Sequence, residues 1–311
     1  MNPQPIIDAL SESMLTPLRW AGSVAQRLRQ FNIALEGKSS GSALTDALTL
    51  ADLTLQELLV AALRDSSPIF RQCRIEAEET TGDLVKFPKQ AEWTLALDPI
   101  DGTKQYRDKT GNGYCVMLHL RNATNVVASF VYVPEKGPQG WWVACTPDRL
   151  VCGSDDLNQT ANQVINSLPA ITPANRPATS RKIYLIGFQS RDVLAAQQVT
   201  AAGLEGVAPD DMPGSIYELM ASGEFGGSLI HSPNLYDFPV SLQIARHLGG
   251  DAVWVHNGEP VHFRETWLDD RADMLRLPGI VACSPNREIL ATLCHVAKNW
   301  NTDRYHTHAE L

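Results

Sequence analysis

Residues 93–98 read WTLALD and are followed at once by Pro99-Ile100-Asp101-Gly102-Thr103. The apolar run predicts a short strand that ends on the carboxylate of Asp98, and the proline and glycine after it predict a turn. Two carboxylates three residues apart repel each other unless a cation lies between them, and Mg²⁺ prefers such oxygen ligands. Taken alone, however, this stretch is more often a solvated acidic turn in which Thr103 caps a helix.

Helical patterns precede that strand. Apolar residues recur at three- and four-residue intervals through 4–31, where Pro17 is expected to kink or divide the helix. Residues 49–65 repeat the pattern, and the Gly- and Ser-containing stretch 36–46 predicts a polar loop between the two helices. Runs of β-branched and aromatic residues after position 98 predict hairpins of a largely antiparallel sheet. They cover 114–121, 126–133 and 141–145.

The second half alternates strand-like and helix-like runs, which predicts an α/β arrangement. The expected strands lie at 183–188, 227–231 and 279–284, and the expected helices at 191–203, 237–250 and 286–298. Residues 153–181 are polar and rich in proline. We therefore predict an N-terminal α+β domain at 1–152, a connecting segment at 153–181 and a C-terminal α/β domain at 182–311.

The composition is that of an ordinary globular chain. Of 311 residues, 44% are hydrophobic and 20% are charged, and the net charge of −9 without a Lys/Arg run argues against a nucleic-acid polymer as partner. Six cysteines without CxxC spacing indicate free thiols. Because no apolar run approaches the ~20 residues of a membrane span, and Asp8 and Glu12 do not fit a signal peptide, we expect no membrane association and a cytoplasmic location.

Three further acidic positions change the interpretation of residues 98–103. Glu78 and Glu79 lie about 20 residues upstream. Asp237 begins a helical run that ends in Gly249-Gly250, and Asp52 opens the helix at 49–65. Each of these residues alone is more often a solvated surface residue or a helix cap. The order of these residues along the chain is more informative about function than any one of the positions alone.

Glu78-Glu79, the stretch 98–103 and Asp237 together resemble the metal signature of the inositol monophosphatase superfamily. That superfamily contains lithium-sensitive phosphatases, among them inositol monophosphatases, 3′(2′),5′-bisphosphate nucleotidases and fructose-1,6-bisphosphatases. The likeness runs through residues 52–284. It implies a layered αβαβα sandwich, an α+β and α/β fold of the inositol monophosphatase and fructose-1,6-bisphosphatase type. It also implies a phosphoric monoester hydrolase that requires Mg²⁺.

The resemblance assigns metal ligands position by position, with two or three Mg²⁺ in each site. Glu78, Asp98 and the backbone carbonyl of Ile100 would hold one ion. Asp98, Asp101 and Asp237 would hold a second, and Glu78 would lie near a third, looser one. Paired metals stabilise the attacking and leaving oxygens of an in-line displacement and lower the pKa of bound water. Phosphoryl transfer of this kind requires no Ser, Cys or His nucleophile.

The resemblance also assigns the groups that meet the water and the substrate. Asp52 and Thr103 would orient the attacking water, with Glu78 as a further catalytic residue. Backbone N–H groups at a helix N-terminus would receive the phosphate oxygens, where the helix dipole favours an anion. The phosphate-binding positions are Gly102, Thr103 and Lys104, and the substrate-contacting positions are Ser190, Arg191, Gly214 and Ser215. A solvated surface position is the alternative for the side chains of Lys104 and Arg191.

Departures from the family pattern bear on the substrate. Tyr236 stands where Trp is usual before the metal aspartate, and Pro239 follows where small residues are common. Ile230 stands where inositol monophosphatases commonly carry a glutamate that binds sugar hydroxyls. Lys104, followed by Gln105, is close to the pattern of the bisphosphate nucleotidases. We therefore expect a 3′(2′),5′-bisphosphate nucleotide ahead of an inositol or sugar phosphate, with fructose-1,6-bisphosphatase as a weaker option.

A catalytically weak protein that binds a phosphorylated metabolite as a sensor or scaffold is the competing hypothesis. The pair Asp52 and Thr103 argues against it, because a binder has no need of groups that activate water. A homodimer is expected from family analogy alone. The histidines lack ligand spacing and are interpreted as structural or solvated: His119, His231, His247, His306 and His308.

Overall fold

The computed structural model describes residues 2–31, 33–35, 47–177, 179–306 and 310–311. The predicted polar loop at 36–46 and the tail residue His308 lie outside the described residues. Every helix in the described part of the chain is too short or too polar to cross a membrane. All six cysteines are described and are free thiols.

The first helical stretch is divided in two, as its proline suggested. Helices α1 (Gln4–Ser13) and α2 (Leu15–Phe31) meet at Met14, so that Pro17 falls in the first turn of α2. A missing N–H is harmless there, because the first-turn donors have no partner within the helix. Helix α3 (Leu50–Ser66) follows with Thr49 as its N-cap. The apolar faces of these helices pack on one face of the first sheet.

The first sheet has seven strands whose spatial order follows the chain. Neighbouring strands are antiparallel, as predicted, except that β1 and β2 run parallel. Alternation along β3 directs Val116 and Leu118 toward helices α1–α3, whereas Cys115 and Met117 face the interior of the molecule. The strands are β1 (Arg74–Ala77), β2 (Thr94–Asp101), β3 (Cys115–Arg121), β4 (Val126–Val133), β5 (Trp141–Cys145), β6 (Leu150–Ser154) and β7 (Ala170–Ile171).

The short helix α4 (Thr103–Asp108) follows β2, and the predicted connecting segment 153–181 carries structure of its own. Helix α5 (Ala161–Ser167) packs on α2, and β7 pairs with β6 at the edge of the first sheet. Much of this segment therefore belongs to the first sheet and its helices. The division of the chain into domains at residues 152 and 182 stays a prediction.

The second sheet has five strands in the order β11-β14-β10-β8-β9. Strand β8 is parallel to β9 and β10, whereas β14 is antiparallel to β10 and β11. Strands β12 and β13 form a separate two-stranded ribbon. The bounds are β8 (Lys182–Ile186), β9 (Glu205–Val207), β10 (Gly227–His231), β11 (Asp251–Trp254), β12 (Trp267–Asp269), β13 (Met274–Arg276) and β14 (Ile280–Ser284).

The remaining helices complete five layers. Helices α7 (Ile216–Ser222) and α8 (Phe238–His247) lie between the two sheets, and α6 (Asp192–Ala201) and α9 (Arg287–Ala297) cover the outer face of the second sheet. The order helix, sheet, helix, sheet, helix confirms the predicted αβαβα sandwich. Gly250, after α8, lies so close to β14 that a Cβ there would sit 2.0 Å from the Ser284 carbonyl oxygen, which accounts for the second glycine of the pair.

Candidate metal centre

A bulge near the end of β2 brings two carboxylates to one place. The ladder with β3 pairs Asp98 with Met117 and resumes at Asp101 with Cys115, so the intervening residues are out of register. Pro99 has no N–H to give to the ladder, and the N–H of Ile100 is donated instead to Asp98 Oδ1 at 2.9 Å. The sequence predicted a turn here; the strand in fact continues through the irregularity to Asp101.

Gly102 then reverses the chain. Its φ of +84° is a left-handed conformation that residues with a Cβ rarely adopt, and it directly precedes α4. The Thr103 hydroxyl lies 2.7 Å from the carbonyl oxygen of Ile100 and 3.2 Å from Asp52 Oδ1. Because a hydroxyl has one proton, Thr103 donates to one of these acceptors at a time.

The third carboxylate comes from the start of α8. Asp237 lies at the N-cap, where Asn234 Nδ2 donates to its Oδ2 at 2.8 Å and Asn234 Oδ1 accepts its backbone N–H at 3.0 Å. One oxygen of each of Asp98, Asp101 and Asp237 lies within 4.8 Å of the other two. The structure therefore brings together three residues that are up to 139 positions apart in sequence.

These three carboxyl groups have raised pKa values, chiefly because they are buried. Repulsion from Glu78 and from one another raises the pKa of Asp98 and Asp237 further, both well above 3.8. The pKa of Asp101 rises to about 6. The side chain of Glu78 hydrogen-bonds with Asp98 and lines the same cleft. Packing four carboxyl groups together out of water is costly unless cations compensate them.

The donor set fits Mg²⁺. It consists of carboxylate oxygens and the nearby carbonyl of Ile100, which are hard ligands of the kind that Mg²⁺ and Ca²⁺ prefer, and includes no thiolate or imidazole. The Sγ atom of Cys115 lies 3.7 Å from Asp101 Oδ2, and burial raises the pKa of this thiol. The thiol therefore stays protonated and acts as a donor to the carboxylate.

Asp52 lies beside this cluster as the N3 residue of α3. Its Oδ2 accepts the Thr49 backbone N–H at 2.7 Å and the Thr49 hydroxyl at 2.6 Å, while its Oδ1 faces Thr103. Burial, opposed by the Thr49 hydroxyl and reinforced by the charges of Glu78 and Glu79, raises the pKa of Asp52 to about 7. Asp52 and Thr103, which the family resemblance pairs, are in contact.

A sequence profile of the inositol monophosphatase family matches residues 13–299. The chain belongs to this family. It is therefore a phosphatase, a phosphoric monoester hydrolase. No curated protein sequence matches the phosphatase significantly.

Solved structures share the fold at low sequence identity. The extragenic suppressor protein SuhB from Bartonella henselae is 15% identical with a TM-score of 0.64, over 94% of this chain and 99% of that one. An IMPase/NADP phosphatase complexed with Mg²⁺ and phosphate is 14% identical with a TM-score of 0.62, over 90% and 92%. Staphylococcal inositol monophosphatase-1, soaked in LiCl as an inhibitory complex, is 14% identical with a TM-score of 0.64, over 98% and 99%.

The predicted substrate-contacting residues of the phosphatase fall into two groups. Gly214 and Ser215 line the cleft, and so does Lys104, whose ammonium group pairs with Asp210. Ser190 and Arg191 are not among the described residues that line it. The structure therefore does not support the expected contact of Ser190 and Arg191 with the substrate.

Arg191 has a structural position instead. Its guanidinium is buried and donates to backbone carbonyls of Phe188, Asp303 and Arg304, which tie the chain before α6 to the C-terminal segment. Ser190 is exposed to solvent. Gln189, one residue earlier, lines the cleft with a φ of +57°.

Two residues that support the centre were missed from the sequence. Gln56 on α3 donates through Nε2 to the carbonyl of Thr81 at 2.7 Å and accepts the Glu79 N–H at 2.9 Å, which fixes the loop that carries Glu78. The sequence feature that could have revealed Gln56 is that a polar residue occupies the buried face of a helix. Tyr217 on α7 hydrogen-bonds with Asp101 and holds the pKa of that carboxyl lower than burial alone would.

Two buried histidines and Tyr236 have structural partners. His119 Nε2 lies 3.2 Å from the Leu235 carbonyl, and His231 Nδ1 lies 3.0 Å from the Ser232 hydroxyl. Burial lowers the pKa of both imidazoles to about 3, so both are neutral. The Tyr236 hydroxyl, at the position where the family usually has Trp, accepts the backbone N–H of Leu275 at 3.3 Å.

The metal-free phosphatase is expected to lose stability as the pH rises from 5 to 8. The pKa values of Asp101 and Asp52 rise from 3.8 to about 6 and about 7 on folding, so both bind protons more tightly in the folded state. That stabilisation is complete below pH 3.8 and is lost as the pH passes each folded-state pKa, at a cost of a few kcal/mol.

Thermal melts of chelator-treated protein would test this. We expect the melting temperature to fall by on the order of 5 °C between pH 5 and pH 8, and Mg²⁺ to reduce the fall. An Asp101→Asn variant should show a smaller fall. A melting temperature that rises over this range without metal would contradict the argument.

Proposed function

We propose that the chain is a Mg²⁺-dependent phosphatase of small phosphorylated metabolites, with a 3′(2′),5′-bisphosphate nucleotide preferred to an inositol or sugar phosphate. The observation that carries the proposal is the convergence of Asp98, Asp101 and Asp237 within 4.8 Å in a cleft. Ordinary folding does not favour three carboxylates this close together, one buried and two half-buried, whereas a divalent cation does.

The proposed ligands divide into two sets. Glu78, Asp98 and the Ile100 carbonyl would hold one ion, and Asp98, Asp101 and Asp237 a second, while Glu78 would also lie near a third. When bound, Mg²⁺ supplies charge neutralisation for the phosphoryl oxygens and a lowered pKa for water. The bulge in β2 contributes rigidity, because the Ile100 N–H holds Asp98 Oδ1 in place. A relative by fold has been crystallised with Mg²⁺ and phosphate, which supports this choice of cation.

Asp52 and Thr103 are proposed to orient the attacking water. The Thr103 hydroxyl can donate to Asp52 Oδ1 and accept a hydrogen bond from water with its own lone pair. The Asp52 carboxylate is held by two hydrogen bonds from Thr49, so its free oxygen is fixed in direction. A pKa of about 7 lets Asp52 gain or lose a proton near neutral pH, as a general base requires.

The phosphate is proposed to bind at the start of α4. Backbone N–H groups of the first residues of a helix lack partners within the helix and favour an anion. Gly102, Thr103 and Lys104 all line the cleft at that point. The glycine lets the backbone approach the phosphate closely, and the neighbouring wall contains Gly214 and Ser215.

The substrate preference rests on Ile230 and Lys104. Ile230 lies in the cleft wall, where a glutamate would be needed to bind sugar hydroxyls in the manner of inositol monophosphatases. Lys104 lies near the proposed phosphate position, although its pairing with Asp210 occupies its ammonium group in part. Lithium inhibition and a homodimer stay predictions from the family, and a cytoplasmic location stays a prediction from the sequence.

A phosphate-release panel at saturating Mg²⁺, with and without Li⁺, tests the function. It should contain 3′-phosphoadenosine 5′-phosphate, inositol 1-phosphate and fructose 1,6-bisphosphate. We expect the first to be hydrolysed with the highest kcat/KM. Absence of phosphate release from every ester would favour a protein that only binds its ligand, and a higher kcat/KM for inositol 1-phosphate would overturn the substrate preference.

A further inference from the structure

Two arginines in the cleft wall have no part in the chemistry proposed above. Arg276 is the last residue of β13, and Arg304 lies in the segment after α9. Both line the same cleft as the aspartate cluster, and their exposed fractions are only 3% and 8%. Arginine is rarely buried to this extent unless anions or carbonyl oxygens pair with it.

Asp269 anchors both side chains. Its Oδ2 accepts Arg276 Nε at 2.8 Å and the Tyr305 hydroxyl at 2.6 Å, and it lies 4.0 Å from Arg304 Nε. Arg276 Nη1 donates to the Ser232 carbonyl at 3.1 Å. One buried carboxylate therefore orients two guanidinium groups in the cleft wall.

One nitrogen of the Arg276 guanidinium has no hydrogen-bond acceptor in the described part of the chain. Its Nη2 is buried and has no hydrogen-bond partner among the described residues. Leaving a buried donor without an acceptor is destabilising, and more so when the donor is charged. A planar guanidinium presents donors that match the oxygens of a phosphate, so the missing partner has the character of an anion.

Arg276 is also connected, through Asn234, to the proposed metal centre. Its backbone forms an isolated bridge with Asn234, and the Asn234 amide donates to Asp237 Oδ2 at 2.8 Å. The positive charge of Arg276 lowers the pKa of Asp237, which burial otherwise raises. Because Arg276 and the aspartate cluster line one cleft, a single small molecule with its phosphoester at the cluster could also place an anion at Arg276.

We propose that Arg276 and Arg304 form a second anion subsite, so that the substrate is a phosphomonoester with a second phosphate group. The subsite holds the phosphate that is not hydrolysed, and no bond forms or breaks there. Ile186 and Ile230 line the same cleft and offer apolar contacts to the scaffold that joins the two phosphates. This inference rests on the proposed function, because it assigns a second group to the substrate of the same cleft.

Arg276 could instead serve only to brace the loop that carries Asp237, through Asn234 and Ser232. The two roles differ in what they change. A brace acts on every substrate alike and mainly through kcat, since it positions a residue of the metal centre. A subsite acts on the doubly phosphorylated substrate and mainly through KM.

The experiment compares substrates that differ by one phosphate, at saturating Mg²⁺. Adenosine 3′,5′-bisphosphate, which is the 3′-phosphoadenosine 5′-phosphate of the panel above, is paired with adenosine 3′-phosphate. Inositol 1,4-bisphosphate is paired with inositol 1-phosphate. The variants are Arg276→Gln, Arg276→Lys and Arg304→Gln; the lysine variant keeps the charge if the glutamine variant does not fold. Arg121→Lys is the matched control, because Arg121 is a buried arginine paired with Glu76 and is not among the described residues of the cleft wall.

We expect the wild type to favour the bisphosphate at least about tenfold in kcat/KM in one pair, which corresponds to one charge-assisted contact. The Arg276 and Arg304 variants should lose that preference through KM, with kcat/KM for the monophosphate changed less than about threefold. Arg121→Lys should keep it.

Equal losses for both members of a pair, or no wild-type preference in either pair, would overturn the subsite and leave the phosphatase in place. If the wild type released phosphate from none of the four esters, the proposed function would fail instead. Calorimetric titration of adenosine 3′,5′-bisphosphate into the wild type and into Arg276→Gln would then test the subsite. If both proteins bind this ligand with equal affinity, the proposed subsite is wrong.

Discussion

Replacing Asp98 by asparagine is expected to lower kcat/KM for phosphate release by about 10³-fold or more, which corresponds to about 4 kcal/mol of lost transition-state stabilisation. Asp98 is the one carboxylate proposed for both metal positions. The same change should raise the melting temperature of the metal-free protein by a few degrees. The substitution removes a buried carboxyl group that Glu78, Asp101 and Asp237 all repel. Without a bound cation, this repulsion lowers the stability of the folded wild-type protein.

Asp155 provides the matched control. It is as buried as Asp98, but it accepts Arg19 Nη2 at 2.5 Å and is not among the described residues that line the cleft. Asp155→Asn should therefore lower the melting temperature and leave kcat/KM within about threefold. Hydrolysis by Asp98→Asn at the wild-type rate would show that the proposed metal centre is wrong.

Replacing Thr103 by valine is expected to lower kcat by about 10²-fold with little change in KM. Valine keeps the shape of threonine but has no hydroxyl, so the link from Asp52 to the attacking water is lost while the backbone N–H groups of α4 remain. General acid–base assistance is typically worth 10²–10⁴-fold. The measurement is a steady-state comparison of kcat and KM with a single phosphate ester at saturating Mg²⁺.

Thr103→Ser is the control, because it keeps the hydroxyl that faces Asp52 Oδ1 and Ile100 O. It should retain most of the wild-type kcat. Asp52→Asn should resemble Thr103→Val and should also remove a pH dependence of kcat near pH 7. If Thr103→Val changed KM and not kcat, Thr103 would serve in substrate binding and the water-orienting role would be wrong.

Much of the fold could be predicted because its signals are local. The periodicity at 49–65 gave α3, and the runs at 126–133 and 141–145 matched β4 and β5 at both ends. The strand at 93–98 was extended in the structure to Asp101, because the ladder with β3 resumes after the bulge. Local propensity cannot show such a continuation, since it depends on the pairing partner.

The carboxylates of the centre could be predicted only as a set. Asp98 and Asp101 stand close together in sequence, but Asp237 and Asp52 are surface-like positions when considered singly. Their order in the chain matched a family, and the fold brings them together as that resemblance implies.

Other residues could not be placed from sequence. Arg191 was expected in the cleft because the resemblance places a substrate-contacting loop there, yet its guanidinium reaches carbonyl oxygens 112 and 113 positions away. Sequence patterns do not reveal the place of Arg276, because its contact with the Ser232 carbonyl spans 44 positions. Contacts over such separations depend on how the second sheet is assembled, which periodicity and motif spacing do not encode.

The most direct test of the metal centre is phosphate release by chelator-treated protein as Mg²⁺ is titrated back. With 3′-phosphoadenosine 5′-phosphate as substrate, we expect no release above background without metal and a saturable recovery as Mg²⁺ is added, which Asp101→Asn should not show. Full hydrolysis by the metal-free protein would contradict a catalytic centre built on Asp98, Asp101 and Asp237.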